Sequence, residues 1–425
     1  MQFLTGYDLQ TILTSDEPKV CLYLLSDPEI HPLLNSLSCI YIKTQDGEFY
    51  SSFTHVDYPH QDYQDLVLRN AFVYDIKQLL HLGLDVQDCF DLKYFDNKEV
   101  YNQLSTFYSM RLNQISNLNS VIPIYSHLNT LQRIGQSLDV ALLDKKKGAF
   151  DQKYLTTYHN IIPYVFSKIE SEGLFVDHDT FLNSFGLERR NLINDDRVLT
   201  NYNHYTTTGR PSNAYGGINY AALNKADDSR TSFVSRHENG KLVNMDFKSY
   251  HLFLIEKYIG IKLPEDPHRM LGQQYFKTTE LTPEQYNESK VITFRNLYGY
   301  QFEDIVKDIP LFDKVDRFQD KLWSKYQSKG MLITEFGKKI VVENATRNKV
   351  FNYFVQSVEA ETNIRYLYNL IKQNIVPILY TYDSMLFDVE EAKIDNLINI
   401  LRDVLKHPFS ISIGDNLKNM KFEHF

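Results

Sequence analysis

The sequence predicts an α+β chain in two parts, an N-terminal α/β domain over residues 1–150 and a larger mixed domain over 151–425. Three observations predict it. The chain has 425 residues, 43% apolar and 14% aromatic, with 30 Tyr and 27 Phe. That is enough apolar mass for two or three domains with cores, and it excludes a disordered chain. Short β-branched and aromatic runs crowd the segment before Asp75, whereas later strand-like runs stand alone between long stretches of helical spacing. Two of those later runs lead into aspartate, at Asp246 and Asp383.

Val20–Leu25 (VCLYLL) and Ser38–Lys43 (SCIYIK) read as strands. Asp46-Gly47 turns the second into Glu48–Phe53 (EFYSSF), a hairpin. Phe72–Asp75 reads as a further strand and Ile76–His81 as a helix, and Tyr101–Leu142 is mainly helical in spacing. Lys145–Lys147 and Gly148 mark either a seam between domains or a solvated turn. Tyr154–Arg197 reads as helical, interrupted at Gly173, and a polar, Gly-rich stretch follows at Thr206–Tyr220. Lys241–Met245 is a strand closing on Asp246, with a helix after it. Thr282–Tyr300 reads as helical, and Phe302–Lys329 as a charged, exposed helix. A turn at Glu335–Lys339 leads to a long helical segment, Lys349–Gln373. Ile375–Tyr380 and Met385–Val389 form a hairpin with Asp383-Ser384 at its tip, followed by a helix, Glu391–Leu405, and a strand, Phe409–Ile413.

Charge and cysteine usage narrow the functional classes. With 54 acidic against 45 basic residues the formal charge is −9, which excludes a histone-like basic protein but not a local basic cleft. Cys21, Cys39 and Cys89 are odd in number and widely spaced, offering neither a disulfide framework nor a Cys-x-x-Cys metal unit. They read as buried thiols in a reducing compartment. The first residues lack a basic segment followed by an apolar one, and no run approaches the ~20 apolar residues of a membrane span. A soluble, intracellular protein without a membrane partner is expected.

Three local patterns carry chemistry. Asp246 and Asp383 each sit at a strand end, where catalytic and binding residues concentrate. Two carboxylates brought together repel and need cations, and two Mg²⁺ about 3.5–4 Å apart would satisfy them and clamp a phosphoryl transfer. Each aspartate alone is also an ordinary turn residue. Lys290, Phe294 and Tyr298 are spaced by four and share one helical face. There a cation can hold phosphate beside rings that stack on a sugar or base; the same stripe also suits a plain amphipathic helix. Thr208-Gly209-Arg210-Pro211-Ser212-Asn213 offers an arginine on a constrained backbone, suited to nucleic-acid contact or to a surface turn.

Taken in order, these patterns resemble family A DNA polymerases, the group of bacterial polymerase I and many phage replicases. TTTGRPSN resembles the family's TGR-x-S segment, VNMDFKSYHLFLIE its motif A, KVITFRNLYG its motif B and YTYDSMLFDV its motif C. NYFVQSVEAET, ITEFGKKIV and IESEGLFVD resemble the primer–template helix, the hairpin before it and the thumb entry. The resemblance runs from about Ile169 to the C-terminus. It implies a right-hand fold of palm (about 206–264 and 371–425), fingers (about 265–370) and thumb (about 165–205). It also implies a template-directed DNA polymerase that adds dNTPs to a primer–template with two Mg²⁺, or Mn²⁺ in their place. Asp246 and Asp383 would bind the metals, and Lys290 the triphosphate. Arg210, His251, Tyr286, Phe294 and Tyr298 would meet the nucleotide, while Arg210, Asn213, Asn352, Gln356 and Tyr382 would meet DNA. A processivity factor or other replisome protein, and a phage, viral or mobile-element source, suit so lean a chain.

The sequence departs from the family at three places. Tyr286 stands where an arginine usually serves the outer phosphates, so Arg295 or another finger residue would have to compensate. His251 stands where a glutamate usually excludes the ribose 2′-hydroxyl, and Ser384 follows Asp383 where a second acid is usual. That Asp-Ser pair also resembles single-subunit RNA polymerases, so an RNA polymerase or primase-like enzyme, or a non-catalytic nucleic-acid-binding subunit, are the alternatives.

The first domain resembles the family's ribonuclease H-like 3′–5′ exonuclease domain with its carboxylates depleted. Asp27 and Glu29 would be remnants of one motif, Asp75 and Leu79 of a second, and Tyr125 and Asn129 of a third. The expected result is a scaffold without cleavage, unless Asp88, Asp91 or Asp96 completes a real site.

Overall fold

The computed structural model describes residues 2–27, 30–55, 57, 60–94, 124–224, 226–299 and 304–423. The chain divides into two compact units, Met1–Ser171 and Glu172–Phe425.

In the first unit the strands are β1 (Gln2–Phe3), β2 (Lys19–Leu25), β3 (Leu37–Lys43), β4 (Glu48–Ser52), β5 (Val67–Arg69), β6 (Ala71–Val73), β7 (Asp85–Gln87) and β8 (Phe90–Asp91). The helices are α1 (Gly6–Thr14), α2 (Ile76–His81), α3 (Ile124–Gln136), α4 (Val140–Lys147) and α5 (Ile162–Glu172). A mixed sheet runs β1-β4-β3-β2-β6-β8, with β2, β3 and β4 antiparallel and β2, β6 and β8 parallel, a ribonuclease H-like arrangement. Alternation along β2 explains why the run VCLYLL is apolar throughout. Val20, Leu22 and Leu24 join the core holding Leu128, Leu131 and Ile134 of α3, whereas Cys21 and Tyr23 join the one holding Leu9, Leu13 and Leu79. The three cysteines are buried and form no disulfide.

The unit extends past the seam expected near 150. Lys145–Lys147 end α4, and Lys147 is held by Asn70 Oδ1 at 2.7 Å and the Asp88 carbonyl at 3.0 Å. Beyond it, a π-helical stretch, Leu155–Ile161, and α5 bury His159 and Glu170 inside the unit.

In the second unit, the helical reading of Tyr154–Arg197 fails after α6 (His178–Phe185). Gly186 has φ +105°, which ends the helix, and a 3-10 turn, Leu187–Leu192, leads into short strands: β10 (Ile193–Asn194) and β11 (Arg197–Val198), paired with β9 (Leu174–Phe175). Next comes a second small sheet of β12 (Tyr202–Asn203) with β13 (Ser212–Tyr215) and β14 (Ile218–Asn219), the last two from the polar stretch.

The centre of the unit is β15 (Gly240–Phe247). It is followed by α7 (Tyr250–Ile259), α8 (Pro267–Phe276), α9 (Pro283–Tyr298), α10 (Pro310–Lys329), β16 (Leu332–Ile333), β17 (Lys339–Ile340) and α11 (Arg347–Ile371). The chain then returns through β18 (Leu379–Thr381), β19 (Ser384–Glu390), α12 (Ile394–Val404), β20 (Phe409–Gly414) and β21 (Lys421–Glu423). The antiparallel sheet order is β18-β19-β15-β20-β21, so β15 is central. Helix α10 is not the exposed helix expected: Leu311, Phe312, Val315, Phe318, Leu322 and Tyr326 are buried at three and four spacing. Its interspersed charges mask that stripe in the sequence. Among the described residues no helix is long and apolar enough to cross a membrane.

Candidate active site

The register of the central sheet brings the two aspartates together. Asp246 on β15 pairs with Ser384 on β19 and with Ser410 on β20. The Phe247 N–H donates to the Asp383 carbonyl at 2.9 Å. Because β18 and β19 close at the Thr381–Ser384 pair, the hairpin tip is Tyr382-Asp383, not Asp383-Ser384. Ser384 is already strand, and its hydroxyl bonds Asn244 Oδ1 at 2.7 Å. Met245, next along β15 from Asp246, is fully buried on the other side of the sheet.

A cleft of about 1480 Å³ opens over this strand end, lined by Asp246, Asp383, Arg210, His251, Tyr286, Lys290, Phe294 and Tyr298. Helix α9 supplies four of these through its spacing of four residues. The helix starts at a Thr282 cap, reciprocated by Gln285, with Pro283 in the first turn. An adjoining face packs on α8, where a Cβ on Gly272 would lie 2.9 Å from the Ser289 Cβ. That close approach excludes a larger residue. Along the cleft face, Lys290 Nζ lies 4.4 Å from the Tyr286 ring centre, and the Phe294 ring lies 5.3 Å from that of His268.

Deeper in the cleft is a polar network that centres on Glu359 of α11, which is fully buried. Arg210 Nε lies 2.9 Å from Glu359 Oε2, and Nη2 donates to Oε1 at 3.2 Å. His251 Nε2 meets Glu359 Oε2 at 3.1 Å, and its Nδ1 meets the Tyr298 hydroxyl at 2.5 Å. The Arg210 guanidinium also stacks over Tyr382 at 4.2 Å. Burial, then the Glu359 charge, raises the Asp383 carboxyl above the ordinary aspartate range, against the opposing pull of Arg210 and His251. Asp383 is accessible at the turn yet crowded by protein.

Other expected residues lie elsewhere. Asn213 is fully buried, its Oδ1 accepting from the Asn201 N–H at 3.2 Å. Asn352 and Gln356 do not line the cleft but bond each other at 3.1 Å, as their spacing along α11 allows. Lys338, just before β17, is buried and donates to the Thr206 carbonyl at 2.7 Å, bracing the loop that carries Arg210. Burial, opposed by Glu361, lowers its ammonium to about 8.

Arg295 does not face the cleft either. The Tyr286 hydroxyl instead donates to Asp266 at 3.3 Å, and the Arg269 guanidinium sits 5.7 Å from its ring. His268, missed in the sequence, lines the cleft beside Lys290, and burial followed by the Lys290 charge holds its imidazole down to about 4. Lys248, Arg402 and Lys418 add basic groups to the wall. Glu359 was also missed, although an acid among the apolar positions of a long helix signals a required partner.

Among the described residues, the remnant motif positions of the first unit lie in different local settings. Asp75 has φ +70°, caps α2 through Gln78 N–H, and its Oδ2 takes Lys93 Nζ at 2.5 Å. Asp91, one of the three aspartates named as able to complete a site, lies beside it and accepts from the Asp75 and Ile76 N–H groups at 3.2 and 2.9 Å. Leu79 is buried in the apolar core, while Tyr125 and Asn129 are exposed on α3. The Asp27 N–H donates to Asn35 Oδ1 at 3.1 Å, and Glu29 and Asp96 lie outside the described residues.

His31, His81 and Glu170 form a buried group whose ligand atoms all lie within 4.8 Å, able in composition to hold a divalent cation. Two features favour a self-satisfied cluster instead. Lys77 Nζ sits 2.6 Å from Glu170 Oε1, and His31 Nδ1 accepts from the Leu33 N–H at 3.1 Å, which puts the neutral ring's proton on the nitrogen facing Glu170. Burial alone would raise the Glu170 pKa; Lys77, then His81 and His31, reverse it to about 2.

No family model and no curated protein matches the sequence. Among solved structures, the chain is similar to the POL domain of Pol1 from M. smegmatis, in complex with DNA primer-template and dNTP. The match has a TM-score of 0.74 at 12% identity and covers 99% of this chain and 100% of that one. The fold is therefore that of a palm–fingers–thumb polymerase with an N-terminal ribonuclease H-like α/β unit.

Proposed function

We propose that the chain is a template-directed DNA polymerase that adds dNTPs to a primer 3′ end. The observation that carries this reading is the juxtaposition of Asp246 and Asp383 at one strand end, in the same cleft as Lys290. Two accessible carboxylates among small polar residues are a hard oxygen donor set, the kind that Mg²⁺ or Mn²⁺ takes. Two such ions, when bound, would activate the primer hydroxyl and neutralise the departing pyrophosphate.

The remaining work belongs to the side chains of the cleft. Lys290 binds the triphosphate and stabilises charge as it develops, with His268 as a neutral neighbour. Phe294 packs near the sugar, and Tyr298 lies where the templating base is tested. His251, held between Tyr298 and Glu359, limits room at the ribose 2′ position. Arg210, fixed by Glu359 and Tyr382, reaches the primer terminus from the minor-groove side. The palm then comprises about 206–264 and 371–425, the fingers about 265–370 and the thumb about 165–205.

We read the first unit as an exonuclease-like scaffold that does not proofread. The Lys93 ammonium on Asp75 and the buried Leu79 support that reading.

Primer extension with four dNTPs, and in parallel four rNTPs, tests the proposal. Extension with dNTPs is expected from the wild type and not from D246A or D383A, while both variants still bind primer–template. Substantial extension by either variant overturns the assignment. Preference for rNTPs would make it an RNA polymerase, and DNA binding without extension would make it a non-catalytic subunit.

A further inference from the structure

Asn363 lies on α11 one turn past Glu359 and is fully buried. A buried side-chain amide needs partners for its oxygen and its nitrogen. The Tyr250 hydroxyl donates to Asn363 Oδ1 at 2.5 Å. Asn363 Nδ2 donates to the Tyr382 carbonyl at 2.6 Å and to the Tyr380 hydroxyl at 3.1 Å. A backbone carbonyl can only accept, so the amide nitrogen must face Tyr382 and the orientation is forced. Burial, with Tyr366 and Tyr380 next, holds the Tyr250 hydroxyl protonated and available as the donor.

The residue held in this way is unusual. Tyr382 has φ +58°, a left-handed conformation at the first position of a two-residue hairpin loop, where glycine is the ordinary choice. A bulky aromatic residue stays there only when its surroundings impose it. Arg210 stacks on the Tyr382 ring from one side, and Asn363 fixes its carbonyl. The next residue is Asp383, whose own carbonyl takes the Phe247 N–H beside Asp246.

We infer that Asn363 is a positioning residue for metal binding: it locks the strained Tyr382 peptide and so fixes the turn that presents Asp383 beside Asp246. The inference rests on the metal-binding role proposed for Asp383. A purely structural amide would contribute to stability alone, whereas a positioning one sets the metal requirement.

The test is Mn²⁺ titration of the full chain, followed by the electron paramagnetic resonance of free Mn²⁺, in wild type, N363L, Y250F and D383N. Removing an outer partner of a metal ligand typically weakens the site about 10- to 100-fold. That loss is expected in N363L, with a smaller one in Y250F, which keeps the amide but removes the donor that anchors it. In primer extension the half-saturating Mg²⁺ concentration should rise, with the rate recovering at high Mg²⁺. Wild-type Mn²⁺ affinity in a folded N363L overturns the inference. If N363L does not fold, wild-type affinity in Y250F overturns it. Equal Mn²⁺ binding by wild type and D383N removes the role of Asp383 itself, and the inference falls with it.

Discussion

The Glu359 carboxylate is the strongest point at which stability and nucleotide handling meet. Replacing it with glutamine keeps shape and volume but removes the charge that Arg210 and His251 share. Glu359 is fully buried, and its partners' side chains are 24% and 19% exposed, so solvent screens these contacts only partly. Each charge-assisted hydrogen bond contributes about 1.5–3 kcal/mol, and a neutral replacement about 0.5–1.5. With two lost and one neutral bond regained, E359Q should lower stability by about 1.5–5.5 kcal/mol. For a chain of 425 residues that is a fall of roughly 2–6 °C in Tm. The same change releases Arg210 and His251 and so loosens Tyr298, which should reduce kcat/KM for dNTP about 10- to 100-fold, because a misplaced site group costs on that order. Thermal unfolding and single-nucleotide extension kinetics measure the two effects, and a double-mutant cycle with R210M isolates the pair. E359Q melting within about 1 °C of wild type, or additive energies in the cycle, would refute the reasoning.

Three further predictions concern other sites. K290A should raise the KM for dNTP and slow the chemical step, and unchanged kinetics would exclude a phosphate role. Glu170 has its folded pKa depressed to about 2 from 4.5, so its stabilisation is present above pH 4.5 and lost as pH falls from there towards 2. By linkage this amounts to about 3 kcal/mol; acid unfolding followed by circular dichroism should lose that component in E170Q, and an unchanged acid limb would count against it. Excess protein incubated with labelled single-stranded DNA and Mg²⁺ or Mn²⁺ should leave it intact. Shortening that disappears in D75N or D91N would instead place a working nuclease centre at Asp75 and Asp91.

Much of the fold was legible because it follows local pattern. The runs VCLYLL and SCIYIK became β2 and β3 nearly to the residue, and the spacing of Lys290, Phe294 and Tyr298 placed them on one helical face. Errors fell where local signals conflict or depend on distant partners. Helix α10 looked exposed because charges interrupt its apolar stripe, and residues after Gly186 looked helical although they form a 3-10 turn and short strands. Asn213 looked like a surface contact because polar residues usually are, yet it is buried with a specific backbone partner.

The sequence by itself determined the residue types available for the chemistry: two strand-end aspartates, a lysine–aromatic helix face and a turn-borne arginine. Periodicity and turn chemistry act over a few residues, so these features can be read without a fold. Only the tertiary structure decided which of them meet. Asp246 and Asp383 become neighbours through antiparallel register between distant strands, and Glu359 becomes the partner of Arg210 and His251 only once α11 packs beneath the cleft. Within the first unit, tertiary packing decided that Asp75 is tied to Lys93. Burial sets these pairings: a charge or amide removed from water must find a partner in space, wherever that partner lies in the chain.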